Sequence, residues 1–99
     1  MNIIQNHADI FIRRKMRVNR GYKDFISDVR TELWEYKKEI HKIEYVERII
    51  QKAKMDYDDH LKKCQKGPTC TNNIFYENIL FFLQEELEEL ENSLPPEEF

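Results

Sequence analysis

Between Tyr22 and Lys66 the chain runs for 45 residues without a glycine or a proline. Within that stretch Tyr22, Ile26, Val29, Leu33, Tyr36, Ile40 and Ile43 step by fours and threes, the heptad signature of an α-helix with one apolar seam. The seam then drifts through Val46, Tyr57 and Leu61, while Ile49, Ile50, Ala53 and Cys64 keep it apolar. Mixed charges lie off the seam, with Glu44 and Arg48 at the i,i+4 spacing that favours an ion pair. The pattern predicts one spine helix over about 22–65, roughly 65 Å long at ~1.5 Å per residue. A helix of that length cannot bury its stripe against itself, so another segment or another chain must cover it.

Two shorter helices flank it. Ile4, Ala8, Phe11 or Ile12, and Met16 recur at helical spacing over about 3–18, although "IFIRRKMRV" also reads as an edge strand. Asn19–Gly21 reads as a stop, with Gly21 suited to a left-handed position past a helix end. Gly67–Pro68 breaks the spine within the turn 67–73, and Thr71, Asn72 and Asn73 are candidate N-caps. Tyr76, Leu80, Leu83, Leu87, Leu90 and Leu94 then define a helix over about 74–93, ended by Pro95–Pro96, with residues 95–99 a frayed tail. The expected fold is a single all-α domain, a coiled-coil-like bundle over 1–99. A short helix folds back on each end of the spine, two helices deep at any cross-section. With only two glycines and three prolines the chain is too poor in turn residues for a small β-sandwich, and 40% apolar residues are too many for a disordered tail.

Charge is unevenly spread. Residues 13–23 hold Arg13, Arg14, Lys15, Arg17, Arg20 and Lys23 with no acid, whereas residues 77–99 hold eight glutamates and no base. The segment "IFYENILFFLQEELEELEN" changes character at Gln84, from mostly apolar to mostly acidic. Phe75, Ile79, Phe81 and Phe82 lie beside or off the seam of this helix, and together they would form an apolar patch that calls for a second surface. The expected partner interface is Phe75, Ile79, Phe82, Leu83 and Leu87, with Trp34 either core or a further anchor.

Catalytic and metal-binding patterns are weak. His60 and Cys64 are spaced i,i+4 on a helix and Cys70 follows across the turn, but structural zinc wants four ligands and only Asp59 offers a fourth. The sequence reading is therefore two free thiols at an ordinary helix end, with no metal and no cofactor. Asp56, Asp58 and Asp59 read as a solvated face. There is no Glu-X-X-His triplet, no glycine-rich phosphate loop and no nucleophile–base motif, which argues against an enzyme.

These features together predict a non-enzymatic interaction module, assembling as a homodimer or within a heteromeric complex. The alternative is a binder of nucleic acid or another acidic partner through Arg13, Arg14, Arg17 and Arg20. No segment reaches the ~20 apolar residues that span a bilayer, and the first residues lack the pattern of a secretory signal. With only two cysteines, an intracellular setting, cytoplasm or nucleus, is the expectation.

Overall fold

The computed structural model describes residues 3–16, 21–64 and 70–93, and among them the regular elements are α-helices packed against each other. They are α1 (Ile3–Lys15), α2 (Tyr22–Leu33), α3 (Glu39–Lys63) and α4 (Thr71–Asn92). The all-α class follows the composition as expected. The single spine does not survive: residues 22–65 hold two helices, α2 and α3, separated by Trp34–Lys38.

Burial explains the break. A straight helix over the span of α2 and α3 would be about 63 Å long, but the longest dimension of the molecule is 48 Å. Folding at Trp34–Lys38 lets Phe25, Ile26, Val29 and Leu33 of α2 enter the same core as Tyr45, Val46, Ile49, Ile50 and Ala53 of α3. Each large apolar side chain so buried is worth about 1.5–3 kcal/mol. That easily outweighs the few helical hydrogen bonds lost at the corner, each worth about 1 kcal/mol net. The corner itself is a tightened last turn: the N–H groups of Trp34, Glu35 and Tyr36 donate to the carbonyls of Thr31, Glu32 and Leu33 at 3.2, 3.1 and 3.2 Å. The extended Lys38 then caps α3. Seam residues before the corner stay inside, Ile40 is left 40% exposed just after it, and Ile43 is buried again.

With α2 folded away from α3, more than two helices share the core. α1 packs on α3, α3 on α4, and α2 on α4. Phe11 of α1 meets Phe25 of α2 at 5.4 Å and Tyr45 of α3 at 6.0 Å between ring centroids. Phe25 reaches Phe75 of α4 at 6.2 Å, so aromatic rings from every helix meet near the centre. The thin, two-helix cross-section expected from the sequence is thus replaced by an enclosed core.

Local signals account for the ends. Gly21 has φ 84°, a conformation natural to glycine, but it stands at the start of α2, whose first turn its carbonyl receives through the Phe25 N–H at 3.4 Å. The stretch read alternatively as a strand is helical through Lys15, with Ile4, Ala8 and Phe11 facing inward. Arg48 reaches Asp9 of α1 with two hydrogen bonds of 2.9 and 3.2 Å, tying α1 to α3. The Tyr36 hydroxyl lies 3.2 Å from Nδ1 of His7, which fastens the α2–α3 corner to the start of α1.

Candidate functional site

The expected interface on α4 is mostly spent within the chain. Phe75, Ile79 and Leu83 are buried in the central core, and Leu87 is half-buried against it. The first three are corrected from partner contacts to core residues, because the folded-back α2 supplies the cover that a lone spine could not. Trp34 is the opposite case. It stands at the α2–α3 corner with 83% of its surface exposed, outside the core.

What remains outside is an aromatic run across α2 and α4. Tyr22 stacks on Phe82 with ring centroids 5.9 Å apart and planes within 9°. Phe81 meets the edge of Phe82 at 5.4 Å and is itself 59% exposed. Tyr22, Ile26 and Phe82 line a groove between the helices, bordered on α2 by Lys23 and Arg30. The Nε of Arg30 donates to Glu86 at 2.9 Å. Phe81, Glu85 and Glu88 follow one another at i, i+4 and i+7 and are all exposed, so one face of α4 carries both apolar and acidic groups. Phe82 is half-buried and already stacked on Tyr22 within the chain.

Of the basic cluster, Arg13 and Arg14 lie exposed on the last turn of α1, while Arg17 and Arg20 lie outside the described residues. Arg13 shares a shallow cleft with Asp9 and Asp56, so acid from its own chain already faces it. Hydrogen bonding from Arg48 holds the Asp9 carboxyl below its usual range, with burial opposing.

A second constellation forms where α3 gives way to α4. Cys64 caps the C-terminus of α3 and Cys70 caps the N-terminus of α4, both with extended backbone. Thr71, Asn72 and Asn73, read as candidate caps from the sequence, fall in the first turn instead. His60, one turn before Cys64, turns the same way. The donor atoms of His60, Cys64 and Cys70 lie within 4.8 Å of one another, with His60 Nε2 and Cys70 Sγ 3.4 Å apart. The backbone N–H of Asn73 leads in lowering the Cys70 thiol to about 7, helped by the Cys64 thiol and opposed by burial. Tyr76 of α4 flanks the cluster, its ring 6.2 Å from that of His60 and 5.6 Å from that of Tyr57. The Tyr57 hydroxyl donates to Glu77 at 2.9 Å across the same junction. Asp59, the fourth ligand considered from sequence, points elsewhere and pairs with Lys63 at 3.3 Å.

The sequence contained all three cluster residues at suggestive spacing, yet spacing alone could not bring Cys70 back across the turn. Phe81 and the Tyr22 stack left a weaker trace, an excess of aromatics beyond one seam. Comparison with family models, curated proteins and solved structures returns no match, and the reading of the chain rests on its own geometry.

Proposed function

We propose that this chain is a non-enzymatic protein–protein interaction module that pairs with a second copy of itself through the α2–α4 face. The supporting observation is Phe81: a phenylalanine 59% exposed at the edge of the Tyr22–Phe82 stack. Burying it extends an aromatic contact that the fold has already begun. The charges bordering the stack favour a copy of the same chain, since Lys23 and Arg30 lie on its α2 side and Glu85 and Glu88 on its α4 side. A two-fold axis near Phe81 sets the basic border of each chain against the acidic border of the other, the self-complementarity that an isologous interface requires. Trp34 is a separate exposed anchor, suited to a different protein in a larger assembly.

Molar mass in solution tests the reading. The wild-type chain is expected at twice 12.2 kDa, and Phe81→Glu at the monomer mass with unchanged helicity, because Phe81 contributes little to the interior. A wild-type monomer at micromolar concentration, or an undiminished Phe81→Glu dimer, overturns it. Phe82→Glu is the poorer probe, since it also removes the stack on Tyr22. Binding of an anionic partner at the basic end of α1 is the second reading, supported by the exposure of Arg13 and Arg14. It requires retention of a polyanion such as heparin that falls steeply with salt and is lost in Arg13→Glu/Arg14→Glu.

A further inference from the structure

We propose that His60, Cys64 and Cys70 form a zinc site that clamps the end of α3 to the start of α4. The arrangement of donors carries the proposal. In a tetrahedral zinc site, bonds of about 2.0–2.1 Å to nitrogen and about 2.3 Å to sulfur place neighbouring N and S ligands roughly 3.6 Å apart. His60 Nε2 and Cys70 Sγ already stand 3.4 Å apart, and every donor in the trio lies within 4.8 Å of the others. Small side-chain adjustments suffice to close three donors around one ion.

The fold builds this arrangement from independent parts. His60 and Cys64 are one helical turn apart, so the end of α3 presents both to the same side. Cys70 comes from another helix, across a connection whose residues 65–69, Gln-Lys-Gly-Pro-Thr, include no histidine, cysteine or acid. The tyrosine contacts between Tyr57 and Tyr76, and the Tyr57–Glu77 hydrogen bond, hold the two helices in register beside the cluster.

Donor chemistry selects the ion. One imidazole and two thiolates are soft to borderline ligands, suited to zinc and poorly suited to calcium or magnesium, which take oxygen. No carboxylate joins the cluster among the described residues, and water completes the fourth position. Neutral imidazole binds through Nε2, and both cysteines bind as thiolates, so their protons pass to solvent on binding and affinity rises with pH. Bound there, the metal links the end of α3 to the start of α4, beside the Tyr57–Tyr76 and Tyr57–Glu77 contacts that already join the two helices. It is independent of the self-association proposed above, because none of its ligands belongs to the Tyr22–Phe82–Phe81 face.

Cobalt(II) and zinc(II) added to the reduced full chain test the site directly. Cobalt should bind one ion per chain and give the intense visible bands of tetrahedral coordination together with sulfur-to-cobalt charge transfer in the near ultraviolet. Zinc should displace it, bleach both signals and raise Tm. Cys70→Ser and His60→Ala should each weaken binding at least tenfold, and His60→Ala should retain the charge-transfer signal while losing the tetrahedral band pattern. Circular dichroism reports whether each variant stays folded, and protection of both thiols from alkylation by zinc gives a readout on the unaltered chain. The proposal is overturned if the reduced chain binds cobalt only with the faint spectrum of an octahedral aqua-type complex. It is equally overturned if zinc leaves thiol alkylation unchanged, or if the pair reacts only with oxidants to form a Cys64–Cys70 disulfide.

Discussion

The two corners that flank α3 are made in different ways. At the α3–α4 corner the chain carries Gly67–Pro68, which cannot continue a helix, and cap positions taken by Cys64 and Cys70. At the α2–α3 corner, Trp34–Lys38, there is no glycine and no proline, and the heptad seam runs straight through. The first corner is written in local backbone chemistry. The second exists because bending lets two apolar stripes share a core with α1 and α4, while a straight helix would leave one of them wet. A helix break can therefore be a tertiary event with no local signature.

The sharpest way to break that contrast is a distance. Spin labels at the exposed positions 23 and 58 would stand roughly 52 Å apart on one continuous helix. In the fold, Phe25 connects to Tyr57 through two intervening rings, Phe75 and Tyr76, in centroid steps of 6.2, 5.5 and 5.6 Å. A pulsed dipolar measurement should thus give a distance far below the straight-helix value, and one near 50 Å would restore the single spine. Next in size is Leu33→Ala. Leu33 is 5% exposed and is the last residue of α2 before the corner. Its truncation should cost about 3 kcal/mol in denaturant unfolding, whereas metal-free Cys64→Ser at the other corner should cost under about 1 kcal/mol. Equal costs would mean that the two corners are not stabilised differently.

The smallest effect concerns pH. Asp9 bonds Arg48 and ties α1 to α3. Arg48 holds the Asp9 carboxyl below its ordinary value in the folded state. Its contribution is therefore fully present above the unfolded carboxylate value, about 4, and is lost as pH falls through the folded value. Asp9→Asn should lower Tm slightly at neutral pH, and the gap from wild type should close in acid. A gap that persists unchanged at pH 2 would assign the effect to something other than the ion pair.

Much of the fold could be read directly from residue spacing. Ile4, Ala8 and Phe11 face the core as their periodicity requires, and so do Ile26, Val29 and Leu33. The interface was harder. Phe75 and Ile79, off the seam that Leu83 belongs to, read as surplus apolar surface because a two-helix cross-section has no room for them. Once α2 packs on α4 they become the centre of the molecule. Trp34, flanked by charged residues on one side and by Leu33 on the other, could be assigned to either side from sequence, and the corner decided for exposure. The cysteine–histidine trio was visible as a spacing and was set aside for want of a fourth protein ligand. Convergence across a turn is a property of three-dimensional packing, and no spacing rule expresses it.

By itself, then, the sequence determined what depends on near neighbours: helical class, the apolar faces and the glycine at φ 84°. The tertiary structure alone decided which stripe meets which. It bent the chain at Trp34–Lys38, joined Arg48 to Asp9, turned half of the expected interface into core, and brought Cys70 to His60. The reason is physical. Backbone preferences act over a few residues, whereas burial free energy depends on contacts between segments far apart in the chain, and here it is large enough to override a continuous helical pattern.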